Sequence, residues 1–489
     1  MNYQHIQGDG NGMKGAGVVA GNRTYITHTT LSHTNSAIKT VTRGQKLMLL
    51  SLGILFFIGL IFNTLTTVII LMGILTTIYF IDVVFSTYVL LKSLHQETDI
   101  IVPEKVLKAL KDTSLPTYTI LCPMYKEAQI LPHFIESINR LDWPKEKLEV
   151  LLLLEEDDQS TINTAYAMNL PSHFKIVVVP HSFPKTKPKA CNYGLSVATG
   201  EYVVIYDAED RPDPLQLKKV YTTFLALPKN YGCIQCKLNY FNPHHNLLTR
   251  LFTAEYSLWF DVTLPGLQSI EGIIPLGGTS NHFRRADLLE FEAWDPFNVT
   301  EDCDLGVRLF KAGKKTAIVD SVTLEEANSN VKNWIRQRSR WVKGYFQTYL
   351  VHMRNPIQLF KNHKEHALIM QLVIGMRMTF MLINPFLWAM TIAYFLLYNS
   401  VGATIESFFP TFIFYMACFS LVVGNFAYIY NYMIGCAARG HWDLIKFVFF
   451  IPFYWFIMSI AAVVALWQLI TKPHYWEKTN HGLHLAPTT

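Results

Sequence analysis

Gln337, Arg340 and Trp341 stand at positions i, i+3 and i+4 of the run Gln337-Arg338-Ser339-Arg340-Trp341, a spacing that shares one helix face. An amide, a cation and an indole on one face suit a charged, sugar-bearing ligand. Upstream, two β-like runs end in acids: Leu154 leads into Glu155-Glu156-Asp157-Asp158, and Tyr206 leads into Asp207-Ala208-Glu209-Asp210. Carboxylates two apart at a strand end can ligate one hard divalent cation, which takes waters and substrate phosphates as its other ligands. A third acidic group, Thr300-Glu301-Asp302, opens a helical stretch over 303–312. Thr300 as cap with acids in the first turn equally suits an ordinary helix start.

The elements that must position these residues lie between 102 and 353, where short β-rich runs alternate with helical patterns. That alternation predicts an α/β layout with a mainly parallel sheet. Buried strands are expected at 117–122 (TYTILC), 149–154 (EVLLLL), 175–179 (KIVVV) and 201–206 (EYVVIY). Ligands of such sheets bind at the carboxyl ends of the strands, and the acids follow those ends directly.

The surroundings are apolar: 50% of the 489 residues are hydrophobic and only 16% charged, a balance that indicates a membrane protein. Residues 47–91 are almost uncharged and long enough for two transmembrane helices with a turn at 63–67. Further transmembrane helices are expected within 366–435, and 440–471 is an interfacial, re-entrant or transmembrane segment. Lys39, Arg43, Lys46 and Lys92 flank the first pair, and the 399–410 loop has no Lys or Arg. This count puts the 102–353 domain in the cytoplasm of a multi-pass protein. Residues 1–36, rich in Gly, Asn, His and Thr without apolar period, are expected to be disordered. Seven scattered cysteines, Cys233-x-x-Cys236 among them, read as reduced structural thiols. A formal charge of +5 without a dense basic run argues against a nucleic-acid partner.

Taken in order between apolar segments, the strand-end acids, Asp207-Ala208-Glu209, Thr300-Glu301-Asp302 and Gln337-x-x-Arg340-Trp341 resemble the processive membrane glycosyltransferases of family 2. These include the synthases of cellulose, hyaluronan, chitin and poly-N-acetylglucosamine. The resemblance implies an α/β GT-A glycosyltransferase domain inserted between N- and C-terminal transmembrane helices. It further implies that Glu155 or Glu156 contacts the nucleotide base, with Lys189 and Asn192 nearby. Asp207 and Glu209 would hold Mg²⁺ or Mn²⁺ on the donor diphosphate, with Asp210 as a substitute ligand. Asp302 would be the general base beside Glu301, with Gln337, Arg340 and Trp341 on the diphosphate and the acceptor end. The Gly277-Gly278-Thr279-Ser280 loop resembles the acceptor-side loop of the family. Trp476-Glu477-Lys478-Thr479 resembles its gating loop, which would place Trp476 and Thr479 over the donor on a cytoplasmic tail, 472–489.

The function so implied is an inverting synthase in the plasma (inner) membrane, elongating a β-linked polysaccharide from a UDP-sugar, UDP-glucose being favoured, and passing it through its own spans. A single-transfer enzyme on a lipid-linked acceptor and a non-catalytic scaffold with a decayed transferase domain are the alternatives.

Overall fold

The computed structural model describes residues 3–9, 12–95 and 99–478. Its N-terminal stretch departs from the expected disorder. Strands β1 (Tyr3–Ile6), β2 (Gly17–Ala20) and β3 (Arg23–Ile26) form a three-stranded antiparallel sheet. The few apolar residues here build no core of their own. They are seated on the larger domain, Val18 and Ala37 clustering with Phe297 and Val351. Gly12, Gly15 and Gly21 adopt positive φ in the connecting turns, a conformation that costs a glycine nothing sterically.

Eight further strands form one sheet: β4 (Tyr118–Met124), β5 (Leu148–Glu155), β6 (Phe174–Val179), β7 (Tyr202–Ile205), β8 (Arg211–Pro212), β9 (Tyr231–Tyr240), β10 (Asn281–Arg284) and β11 (Lys315–Glu325). Their order is β6-β5-β4-β7-β10-β9-β11-β8. Neighbours from β6 to β7 run parallel, as do β9 and β11, while β10 is antiparallel to both its neighbours. Alternate side chains enter opposite layers: Leu151 and Leu153 join one apolar cluster, Val150, Leu152 and Leu154 the other. Burial on both faces explains the aliphatic runs of β5 and β7, while the edge strand β6 is half-buried. It also aligns the carboxyl ends of β4, β5 and β7, so the residues after Met124, Leu154 and Ile205 share one edge.

Among the described residues four helices are long and apolar enough to cross a membrane: Arg43–His95, Pro356–Leu396, Thr411–Ala438 and Trp442–Thr471. The first is broken at Asn63, whose backbone leaves the helical region. Gly59 lies against Thr67 across the break. Large apolar side chains such as Ile61 and Phe62 point outward, at 81% and 85% exposure, as a lipid-facing surface requires.

Close backbone approaches seat the sheet domain on these helices. A methyl group on Gly266 would lie 2.5 Å from the Val89 carbonyl, and one on Gly435 would lie 2.5 Å from the Leu258 nitrogen. Arg439 adds a 2.7 Å pair to Asp261, which also meets the buried Lys237 at 3.2 Å. The Ile451–Thr471 helix runs beside the Val331–His352 helix. Tyr454 packs against Trp334 at 4.9 Å with the rings tilted by 58°, Lys343 donates to Gln468 at 3.1 Å, and Gln347 donates to the Pro473 carbonyl at 3.1 Å. Arg250 lies over Phe447 at 4.5 Å before the helix begins, so both of its ends meet the sheet domain.

Candidate active site

A cavity of about 1120 Å³ opens at the carboxyl edge of the sheet. Tyr125 after β4, Glu155 at the end of β5, and Asp207 and Glu209 after β7 form one side. Glu301 and Asp302 at the start of the Glu301–Lys311 helix form the floor. Gln337, Arg340 and Trp341 supply the opposite wall, and Trp476 of the tail closes over it. The three wall residues share a helix face, as their spacing requires.

The β7 edge is crowded with negative charge. Asp207 is ion-paired to Lys187, which also donates to the Gly278 carbonyl at 2.8 Å. Burial opposes the Lys187 charge, but Asp207 and Glu301 outweigh it and hold the ammonium above the usual lysine range. Asp210 is buried behind the loop, where it accepts from the Asp207 amide at 2.7 Å and from the Thr279 hydroxyl. Burial, then repulsion from Asp207 and Glu209, pushes its carboxyl well up, and its Oδ1 has no hydrogen-bond partner. Glu325 on β11 is pushed up by burial and the same three acids. Among the described residues no three His, Cys, Asp or Glu side chains are grouped to hold an ion by themselves.

The helix carrying Glu301 and Asp302 begins at Thr300, although the Thr300 hydroxyl makes no capping bond. Asp302 Oδ1 instead accepts from the Cys303 amide at 2.7 Å. Burial raises the Asp302 carboxyl to about 6, opposed by that bond, Lys187 and Arg340. Glu301 is raised by burial and by the charge of Asp302. Gly278 lies close by: a methyl group there would stand 3.4 Å from Asp302 Oδ2 and 4.0 Å from Lys187 Nζ. Its missing side chain keeps the space beside Asp302 open.

On the facing helix, the buried oxygen of Gln337 and Nε of Arg340 have no hydrogen-bond partner. Buried polar groups are ordinarily satisfied, so these two, in a cavity wall, suit a polar ligand. Arg340 is stacked on Trp476 at 4.6 Å. Arg338, the second residue of the motif, also borders the cavity but is engaged by the protein: its guanidinium lies 4.4 Å from the Phe252 ring and 4.6 Å from Trp341, and it pairs with Glu255. It therefore fixes the Trp341 indole from behind.

Three expected ligand contacts do not lie in the cavity. Glu156 is exposed and accepts from the His181 amide at 2.8 Å. Lys189 is fully buried, donating to Glu155 at 2.9 Å, so it holds the Glu155 side chain from behind. Asn192 is also fully buried, its amide spent on the Thr27 and Trp294 backbones. Helical periodicity explains this: Lys187 opens the Lys187–Val197 helix facing the acids, and residues two and five further on turn away. Thr479 lies outside the described residues. Sequence reasoning passed over Lys187, two residues from the lysine it chose, and Tyr125, which directly follows β4.

Residues 116–344 match the family described as Glycosyltransferase like family 2. The chain carries a family 2 glycosyltransferase domain. The mainly parallel sheet lies within this glycosyltransferase domain, and among the described residues one apolar helix of membrane-crossing length precedes the domain and three follow it. Among similar proteins, "Probable glycosyltransferase YdaM" of Bacillus subtilis (strain 168) is 26% identical over 238 residues, covering 47% of this chain and 55% of that protein. "Probable glucomannan 4-beta-mannosyltransferase 3" of Arabidopsis thaliana is 28% identical over 262 residues, covering 50% of this chain and 46% of that protein. The chain thus spans about half the length of the curated relatives it matches. Among solved structures, the mannosyltransferase PcManGT from Pyrobaculum calidifontis in complex with GDP-Man and Mn²⁺ aligns at a TM-score of 0.48 and 18% identity, covering 77% of this chain and 99% of that one.

Proposed function

We propose that the protein is a membrane-embedded inverting glycosyltransferase that extends a β-linked hexose polymer from a nucleotide-sugar and delivers it into its own membrane helices. One observation carries this reading. The cavity that holds Asp207, Asp302 and Trp341 continues between the apolar helices, past Asn384, Trp388 and Tyr394 to Glu406. Polar and aromatic side chains along such a path offer hydroxyl partners and stacking faces to a glycan, where an enzyme with a wholly soluble acceptor needs neither.

In this reading the acceptor end stacks on Trp341 and donates a hydroxyl hydrogen bond to the unpartnered side-chain oxygen of Gln337. Asp302 takes the proton of the attacking hydroxyl. A carboxyl titrating at about 6 is ionised at neutral pH, yet more basic than an ordinary aspartate. Attack opposite the leaving group converts an α-linked donor into a β-linked product in one displacement. Arg340 and Lys187 supply fixed positive charge toward the departing diphosphate. The crowding of Asp207 and Glu209 beside the raised carboxyls of Asp210 and Glu325, with the orphaned Asp210 oxygen, suits a divalent cation, Mg²⁺ or Mn²⁺, on Asp207 and Glu209, the diphosphate completing its shell. Bound there, the cation would neutralise charge on the leaving group.

The Lys343 bond to the Tyr475 carbonyl, at 2.7 Å, ties the tail to the glycosyltransferase domain, and the Glu477–Gln468 contact ties it to the last apolar helix. They support a tail on the catalytic, cytoplasmic side and a Trp442–Thr471 helix lying along the membrane interface. The Arabidopsis relatives are named for mannosyl transfer to glucomannan, so GDP-mannose joins UDP-glucose as a candidate donor.

The test is to incubate the purified protein in nanodiscs with Mg²⁺ or Mn²⁺ and radiolabelled UDP-glucose, UDP-N-acetylglucosamine or GDP-mannose. Labelled product of many units, cleaved by a β-specific glycanase, is expected from a hexosyl donor. Product that stops at one sugar on a lipid would overturn the polymerase reading, and nucleotide release from none of the donors would overturn the transferase.

A further inference from the structure

Residues 27–42 form a strap between the three-stranded sheet and the first apolar helix, and the strap lies along the loop that leads into Glu301 and Asp302. The fully buried Asp295 accepts from the Ser36 hydroxyl at 2.7 Å and from the Ala37 amide at 2.6 Å, one bond on each carboxylate oxygen. Its Oδ1 also accepts from the Phe297 amide at 3.1 Å, which closes the loop on itself. The strap is tied down further on. Arg354 donates to the Ser36 carbonyl at 2.9 Å and also to the Thr34 and Lys39 carbonyls, and Gln45 donates to the Leu350 carbonyl at 2.7 Å.

A second observation makes this loop more than a connection. Glu292 and Ala293 both adopt positive φ, 59° and 54°, a conformation unfavourable for residues bearing a side chain. The Thr29 hydroxyl, from the strap, donates to the Glu292 carbonyl, and Arg308 donates to the Ala293 carbonyl at 2.6 Å. Past this strained corner the loop also touches residues adjoining the cavity. Thr186, next to Lys187, donates to the Pro296 carbonyl at 3.0 Å, and Gln347, from the helix of Gln337 to Trp341, accepts from the Val299 amide at 3.0 Å. His474, two residues before Trp476, lies 3.2 Å from the Phe297 carbonyl.

We propose that the N-terminal strap is a positioning element for the acceptor-side carboxylates: Ser36 and Ala37, through Asp295, fix the loop that sets Asp302 against the cavity. Asp295 touches no substrate and acts through the backbone of residues 296–300. This inference rests on the reading of Asp302 as the base, and its test separates the two.

Full-length protein in nanodiscs is compared with Ser36→Ala, Asp295→Asn and Asp302→Asn, by donor turnover and by hydrogen exchange of the 293–302 amides. The strap variants are expected to exchange faster over 293–302, with the amides of β4 and β5 unchanged. Their kcat should fall about tenfold, since misplacement of a reacting group is expensive, with donor KM unmoved. Ser36→Thr, which keeps the hydroxyl, should recover most of the loss. Unchanged exchange and kcat in Ser36→Ala, or a change confined to donor KM, overturns the proposal; where Asp295→Asn lowers the yield of folded protein, Ser36→Ala decides. An unaffected turnover in Asp302→Asn overturns the base assignment instead, and the exchange result still reports on whether the strap orders the loop.

Discussion

Thr300 and Gly344 are packed so closely that a methyl group on Gly344 would lie 2.3 Å from the Thr300 hydroxyl oxygen and 2.5 Å from its methyl carbon. Thr300 starts the helix of Glu301 and Asp302, and Gly344 lies three residues beyond Trp341. The absent side chain is thus what brings the acid pair and the Gln337–Trp341 face to opposite walls of one cavity. In Gly344→Ala one of the two helices must move, an overpacking that costs about 1–3 kcal/mol. We expect the melting temperature to drop and kcat to fall by about 10²-fold. Thr300→Gly in the same chain should recover part of both, since glycine is tolerated before a helix. Additive losses in the double variant would show that this contact does not set the spacing.

The acid limb of the pH–rate profile should report Asp302. A base must be unprotonated, so turnover is expected to fall as pH drops through about 6. Arg340 helps keep this carboxyl ionised. Removing that charge in Arg340→Gln should therefore move the limb to higher pH as well as slow the reaction. A limb that stays in place would contradict the coupling of these residues across the cavity.

These contacts mark how far the sequence can be read. Strands β4, β5 and β7 announce themselves as aliphatic runs because they are buried on both faces, and their carboxyl ends lead straight to Glu155 and Asp207. Strands β9, β10 and β11 were not distinguished in this way; β9 mixes Gln235, Lys237 and Asn239 among its apolar residues, all buried and hydrogen-bonded or ion-paired. The N-terminal sheet was misread because its apolar residues pack on Phe297 and Val351, remote in sequence. Lys187 was displaced in favour of Lys189 for a local reason: which of two lysines faces the acids depends on where the helix begins.

Glu301 should cost the protein stability. Its buried carboxyl is raised to about 8, from 4.5, by burial and by Asp302. The folded state therefore holds this proton more tightly than the unfolded chain. The stability it confers when protonated is fully present below about 4.5 and is lost as pH rises through about 8. Glu301→Gln does not titrate, so it should melt at the wild-type temperature near pH 5 and higher at pH 8.5. The gain at the upper pH should be on the order of a few kcal/mol, up to about 5, measured by thermal unfolding in detergent. A variant destabilised at both pH values would mean that the Glu301 charge is satisfied in place.

The Arg340–Trp476 stack should hold the tail over the donor. Such a contact is worth about 0.5–2 kcal/mol. Trp476→Ala is therefore expected to raise donor KM by about 2- to 30-fold, with a smaller effect on kcat, whereas Trp476→Phe should stay near wild type. Initial rates against donor concentration distinguish the two, and a fall in kcat alone would place the indole on the acceptor instead.

The most direct measurement is single-turnover transfer from the preferred labelled donor by wild type and by Asp302→Asn, at pH 7.5 in nanodiscs, with donor affinity measured in parallel. Asp302 as the base predicts a loss of about 10²–10⁴-fold in the transfer rate, with donor affinity kept within a few-fold. Equal rates in the two proteins would contradict it, whatever product is made.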